Sequence, residues 1–256
     1  MKSILITGGA SGLGRHLAQR YENKGYLVYV LDMNEEKLTE VATKQIIPIH
    51  LDVSEESKWH EQVLPIIEEN SGRLDCVIAC AGVMRVGSVE ECSRETWELM
   101  FNANLTAHFM TAKMTMPYLK QSRGNILFIG SPSATFAVRQ EVSYITFKHG
   151  ICGLMKSVAF DYGRSGVRAN VVHPGWMKTP MSDLEMEEIM EREGVTLEEA
   201  YAQVCKHLPC QRPASLTEIS NVIEFVCSDQ ASYMTGSEIL VDGGASIVDV
   251  GMLEMM

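Results

Sequence analysis

The segment VSYITFKHG, residues 142 to 150, sets Tyr144 and Lys148 four residues apart. On a helix, positions i and i+4 share a face, so a phenol and an ammonium project side by side. A free phenol titrates near pH 10, and useful base character near neutrality needs a shift of about two to three units. A cation within about 4–6 Å supplies about one to three units, so Lys148 is sufficient in kind to make Tyr144 a proton-transfer group. Taken alone, the pair is also what an ordinary helix surface offers, and the surroundings must decide.

A second set of residues has the types and spacing to hold a dinucleotide. TGGASGLG, residues 7 to 14, follows an apolar run and opens a helical stretch. No G-K-[ST] follows, which excludes a Walker A loop, and glycines at 8, 9, 12 and 14 miss the strict G-x-G-x-x-G spacing. The turn still offers close backbone approach and helix N-terminal N–H groups, as a pyrophosphate requires; a plain strand-to-helix turn remains the alternative. Asp32 closes the next apolar run 18 residues after Gly14, near the spacing of about 20 at which an acid receives a ribose. Its carboxylate suits the free hydroxyls of NAD and opposes the 2′-phosphate of NADP, while Arg15 falls inside the helix. NAD is the expected cofactor. Asp52 and Val53 end the third run, where the acid is placed either for an adenine amino group or as a helix N-cap ahead of SEES.

The elements that must position these groups alternate in type. Strand-like runs lie at 3–7, 26–31, 46–51, 74–81, 125–130, 167–173 and 238–242, with helical periodicity at 12–24, 34–44, 55–70, 93–120, 143–163, 182–206 and 215–228. This order implies βαβ units and an α/β, doubly wound, mostly parallel seven-stranded sheet covered by helices on both faces. No repeat or linker divides the 256 residues, so one domain spanning 1–256 is expected. Ligands of such sheets bind beyond the strands' carboxyl ends, where strand order reverses.

Composition limits the partners. A net charge of −11 without a Lys/Arg run argues against nucleic acid or an anionic membrane surface, which leaves a small molecule. The N-terminus is too weakly apolar for a signal segment, and no run approaches the ~18 apolar residues of a membrane span, so cytoplasmic residence is expected. Seven cysteines at 76, 80, 92, 152, 205, 210 and 227 show no disulfide framework, and no His/Cys spacing marks a zinc motif. No metal is expected.

TGGASGLG, Asp32, Asp52-Val53, Ala81-Gly82, Asn104 within NANLTAHF, Ser131 within FIGSPS, Tyr144-x-x-x-Lys148, Asn170 and PGWMKTP at 174–180 occur in the order of the compact short-chain dehydrogenase/reductases. The chain resembles that Rossmann-type family from end to end, through VDGG at 241–244. The resemblance implies a catalytic set of Asn104, Ser131, Tyr144 and Lys148. Tyr144 would be general acid in carbonyl reduction and base in alcohol oxidation, and Ser131 would hydrogen-bond the substrate oxygen. Lys148 would bind the nicotinamide ribose and lower the Tyr144 pKa, and Asn104 would hold a relay water. The implied cofactor contacts are Gly8, Ser11, Gly12, Leu13, Gly14, Asp32, Asp52, Val53, Ala81, Gly82, Tyr144, Lys148, Pro174, Gly175, Met177 and Thr179. A homotetramer is also implied, with helices around 93–120 and 143–163 at one interface and the last strand at another. The tail GASIVDVGMLEMM would either close over a neighbouring site or fray.

Two departures stand out. Ala79-Cys80 replaces the family's common Asn-Asn, and Gly130 stands where a second Ser is frequent. Cys80 is read as a buried core thiol rather than a redox sensor. The substrate-covering segment at about 181–210 carries eight acids between Met181 and Gln203 against one base, Arg192. Like charge then opposes polyanionic acyl carriers. Met186, Ile189 and Met190 form an apolar stripe that either packs locally or lines a pocket. The expected activity is NAD-dependent interconversion of a neutral secondary alcohol and ketone, of polyol, cyclic-alcohol or hydroxysteroid type. The alternatives are a 3-oxoacyl-thioester reductase and a non-catalytic dinucleotide sensor on the same fold.

Overall fold

Each apolar run becomes a strand with helices above and below it. The computed structural model describes residues 1–248. Its strands are β1 (Ser3–Thr7), β2 (Leu27–Asp32), β3 (Ile46–His50), β4 (Cys76–Ala79), β5 (Asn125–Ile129), β6 (Arg168–Pro174) and β7 (Glu238–Val241). They form one sheet in the order β3-β2-β1-β4-β5-β6-β7, and every pairing is parallel. The chain runs outward from β1 to β3, then returns to build on the other side of β1. The reversal lies between β1 and β4, so their carboxyl ends open the crevice that the topology reserves for a ligand.

The two-residue period of a strand divides the core. Leu5, Tyr29, Leu31 and Val77 face one side, whereas Ile4, Ile6, Val28, Val30 and Ile78 face the other. The second face is covered by α1 (Gly12–Asn23), α2 (Glu35–Val41) and a late helix at 216–226. The first is covered by a helical run from α3 (Glu56–Lys58) through a π-helical turn (Trp59–Val63) into α4 (Leu64–Asn70), and, after α5 (Arg94–Phe101) and a second π-helical turn (Asn102–Thr106), by α6 (Ala107–Ser122) and α7 (Val142–Tyr162).

The helical periodicity over 182–206 resolves into two helices, α8 (Pro180–Glu193) and α9 (Leu197–Cys205). Gly194 adopts a left-handed conformation, φ 67°, which ends α8, and Thr196 with Glu199 forms a capping box that starts α9. Both signals were present in GVTLEE, but helical periodicity ran across them. The last helix, α10 (Leu216–Val226), opens on another capping box, Ser215 with Glu218. No helix among the described residues is long and apolar enough to cross a membrane. Most of the C-terminal tail, residues 249–256, lies outside the described residues.

Candidate active site

The carboxyl ends of the strands surround a cavity of about 870 Å³, and every site residue expected from the sequence contributes to its lining. At one end the β1–α1 turn presents backbone rather than side chains. Gly8 has φ +66° and Gly14 packs so closely beneath it that a Cβ there would lie 2.2 Å from the Gly8 carbonyl oxygen. Only glycine allows this approach. Ser11 occupies the N-cap of α1 without a side-chain cap hydrogen bond. The first N–H groups of α1 are therefore open to an anion, which fits a pyrophosphate.

Asp32 ends β2 beside this turn. One carboxylate oxygen accepts the Ala10 N–H at 3.0 Å and the other accepts the Asn34 N–H at 3.0 Å. These bonds fix the carboxylate plane while leaving lone pairs toward the cavity. Arg15 is turned away to Glu40, 2.8 Å distant. Asp52 also lines the cavity, but it does not cap a helix: its Oδ1 accepts from Ser54 N–H and Oγ–H at 2.8 and 2.7 Å, and Glu55 is the N-cap of α3. The acid closes a local turn instead, because the helix starts three residues later than an Asp52 cap requires. Val53 adds a backbone anchor, its carbonyl accepting the Trp59 indole N–H at 2.9 Å.

The loop after β4 explains how the chain manages without Asn-Asn. Thr7 Oγ1 accepts the N–H groups of Cys80 and Ala81 at 3.1 and 3.2 Å, so a β1 hydroxyl holds this backbone. Burial pushes the Cys80 thiol up to about 11, which disfavours the reactive thiolate. Next to it, Asn104 is fully buried in the second π-helical turn. Its Oδ1 accepts the Val83 N–H at 3.2 Å, and its amide donates to the Val83 and Met100 carbonyls at 3.0 and 3.2 Å. The π-helical turn is the device that swings this side chain out of the helix and against the β4 loop.

The end expected to transfer a proton is assembled from the end of β5 and from α7. Ser131 follows β5, and its Oγ accepts the Ser133 N–H at 3.2 Å. Lys148 is buried, donates to the Ile129 carbonyl at 3.1 Å, and lies 5.4 Å from the Tyr144 ring centre. Burial brings its ammonium down to about 8, opposed by Cys80 and Cys152. Tyr144 departs from expectation. Burial pushes its phenol well up, the Ser131 hydroxyl opposes the shift, and Glu185 and Glu141 reinforce it. Burial outweighs the Ser131 hydrogen bond, so the phenol stays protonated near neutrality.

Two acids at this end escaped the sequence reading as site residues. Glu141 immediately precedes α7 and accepts from Ser133 Oγ at 3.4 Å, and burial raises it. Glu185, from α8, is raised to about 7 by burial and by Glu141. Their signal was positional: Glu141 is three residues before Tyr144 on the same face, and Glu185 is the inward member of the acidic segment. Most of the other acids there are exposed, though Asp183 accepts from the Tyr201 hydroxyl at 2.8 Å. The methionine stripe packs locally, with Met186, Ile189 and Met190 closing on Ala200 and Tyr201 between α8 and α9.

Pro174 ends β6, and Gly175, Met177 and Thr179 follow it along the cavity wall. Thr179 caps α8 by accepting the Ser182 N–H at 3.3 Å. Gly130, the other departure, is explained by a residue the sequence reading passed over. A Cβ at 130 would lie 2.3 Å from His173 Nδ1, so the imidazole occupies the space a side chain at 130 would need.

A parallel Rossmann-type sheet with a glycine turn, a strand-end acid and a Ser, Tyr and Lys on one cavity defines a dinucleotide-dependent oxidoreductase architecture. A family model described as "Enoyl-(Acyl carrier protein) reductase" matches residues 8–246. The chain is 31% identical to trans-4-hydroxycyclohexanecarboxylate dehydrogenase of Sinomonas cyclohexanicum, over 95% of this chain and 92% of that protein. It is 48% identical to Protein MoaE of Klebsiella aerogenes over a shorter stretch, 59% of this chain and 59% of that protein. The ligand-free aldohexose dehydrogenase of Thermoplasma acidophilum superposes with a TM-score of 0.90 at 27% identity, covering 97% of this chain and 95% of that one. The chain belongs to the short-chain dehydrogenase/reductase family, oxidoreductases that use a nicotinamide dinucleotide.

Proposed function

We propose that this protein is an NAD-dependent dehydrogenase/ketoreductase that interconverts a neutral secondary alcohol and its ketone. The charge pattern of the cavity carries this reading. At the cofactor end Asp32 is oriented by two backbone N–H groups and Arg15 is tied to Glu40. Among the described residues lining the cavity, Lys148 is the one Lys or Arg. A 2′-phosphate would meet a carboxylate with no base beside it, whereas ribose hydroxyls would find an acceptor. At the substrate end, Glu141 and Glu185 supply acceptors for substrate hydroxyls and oppose an anionic acyl carrier.

The bound nicotinamide would supply or accept the hydride. Tyr144 gives its proton to the carbonyl oxygen in reduction and recovers it in oxidation, and Ser131 donates a hydrogen bond to the same oxygen. Lys148, anchored on the Ile129 carbonyl, would hold the nicotinamide ribose. The Asn104 amide is committed to backbone carbonyls, so a relay water there is held by other atoms. The S. cyclohexanicum relative, named for a ring-borne secondary alcohol, supports the cyclic-alcohol class. That relative's substrate carboxylate is not carried over, because among the described residues lining the cavity no Lys or Arg other than Lys148 is there to receive it.

Exposed Phe109 on α6 and Phe160 on α7 support assembly through these helices into a homotetramer. All seven cysteines are free, which supports residence in the reducing cytoplasm. Initial rates with NAD and NADP across polyols, cyclic alcohols, hydroxysteroids and 3-oxoacyl thioesters test the reading. Turnover of a neutral secondary alcohol with NAD is expected; activity confined to NADP or to thioesters would overturn it.

A further inference from the structure

Along α7 the residues at four-residue intervals are Tyr144, Lys148, Cys152 and Lys156, a single stripe on the helix. The first two face the cavity. The next two face β6 and β7 outside it, where a second cluster of chemistry-bearing side chains meets. His173 is fully buried on β6, and Glu238, in register with Val171, emerges on the same sheet face as His173. Cys152 Sγ lies 3.9 Å from His173 Nε2, and Glu238 Oε2 lies 3.7 Å from the same nitrogen. The three ligand-type atoms all fall within 4.8 Å of one another.

We propose that Cys152, His173 and Glu238 form a binding site for a borderline divalent metal ion of the zinc class, behind Ser131 and distinct from the cavity. The geometry is close to what such an ion needs. With metal–sulfur, –nitrogen and –oxygen distances of about 2.3, 2.0 and 2.1 Å, tetrahedral ligand atoms stand about 3.4–3.6 Å apart. The observed sulfur–nitrogen and nitrogen–oxygen separations exceed this by a few tenths of an ångström, a change within side-chain adjustment. The donor set mixes thiolate, imidazole and carboxylate, which suits zinc rather than magnesium or calcium.

The surrounding contacts are those of a metal-bound histidine. His173 Nδ1 lies 2.8 Å from the Ser131 carbonyl oxygen and 3.1 Å from the Ser131 backbone nitrogen; in the tautomer that makes the shorter contact, Nδ1–H donates to the carbonyl and Nε2 is the lone-pair donor toward Cys152 and Glu238. Lys156 holds the other Glu238 oxygen at 2.7 Å and orients the carboxylate. Binding displaces the Cys152 thiol proton to solvent. The dication then balances the thiolate and the carboxylate, and no redox change occurs. Glu238 is partly exposed, which gives an ion and a fourth, water ligand a route in. With metal on Nε2, the imidazole is locked in the tautomer that holds the Ser131 carbonyl. The three ligands come from α7, β6 and β7, so no local spacing marks them and the absence of a zinc motif in the sequence does not bear on them.

The test is titration of the intact, chelator-treated protein with Co2+, read by absorption, followed by displacement with Zn2+. The expected result is one equivalent bound with a thiolate-to-cobalt charge-transfer band that Zn2+ removes. Cys152→Ala should abolish the band, and Glu238→Gln, a substitution at a partly exposed position, should weaken binding by at least about tenfold, the loss that even outer contacts cause. Absence of the band in the parent protein, its survival in Cys152→Ala, or equal affinity in a folded Glu238→Gln protein would each overturn the proposal.

Discussion

The two ends of the cavity are built by different means. The dinucleotide end is mostly backbone: Gly8 and Gly14 in close approach, the uncapped start of α1, and an Asp32 carboxylate fixed by two N–H groups. The proton-transfer end is mostly side chain: Tyr144, Lys148, Ser131, Glu141 and Glu185, several of them with titration moved by burial. A backbone-built site tolerates no added atom, and the Asp32 charge within it is fixed in place by two N–H groups. A side-chain-built site keeps its shape through conservative changes and loses its chemistry with a single oxygen.

Substitutions at each end can break this contrast. The largest effect is expected from Tyr144→Phe, which removes the transferable proton and should lower kcat by about 10²–10⁴-fold, the range for one general acid–base group. Its NAD affinity, measured by fluorescence quenching, should match the parent, while Lys148→Met should impair both. A Tyr144→Phe protein with parental turnover would remove Tyr144 from the chemistry. Next comes Gly14→Ala at the opposite end. The added methyl must displace the Gly8 carbonyl, 2.2 Å from the built Cβ, so urea denaturation should show a loss of about 1–3 kcal/mol, as for other overpacked sites. NAD affinity should fall with it; parental stability and affinity together would show that the turn gives way easily.

The smallest expected effect is one of pH. Glu185 is raised from 4.5 to about 7 in the folded chain. Between those values the unfolded chain has released its proton while the folded chain retains it, so this group's contribution to stability falls as pH rises through the window. Glu185→Gln should flatten that part of the profile, measured by urea denaturation at steps from about pH 4.5 to about pH 8. An unchanged slope would mean that water screens the carboxylate at the cavity mouth.

Both ends were legible in the sequence to different depths. The strands fell within a few residues of the apolar runs, because burial on both sheet faces leaves little freedom in composition. The break inside 182–206 was not legible because periodicity does not register a left-handed glycine, and the two readings of Asp52 stayed open because a cap depends on where the following helix begins. Ser131, Tyr144 and Lys148, expected from spacing and resemblance, do line one cavity, whereas the raised phenol of Tyr144 was not expected. A charge four residues away is visible in sequence, whereas desolvation is a property of everything packed around the phenol.

The sequence by itself determined the sheet, the glycine turn, the strand-end acid and the Tyr–Lys stripe. Each follows from local rules of period, backbone freedom and four-residue spacing, which act between residues near in the chain. Only the tertiary structure decided that Glu141 and Glu185 share the substrate end, that His173 fills the place a side chain at 130 would take, and that Cys152, His173 and Glu238 converge. Those arrangements join α7, β5, β6, β7 and α8, and contacts between distant segments are fixed by how the faces of the sheet and helices pack.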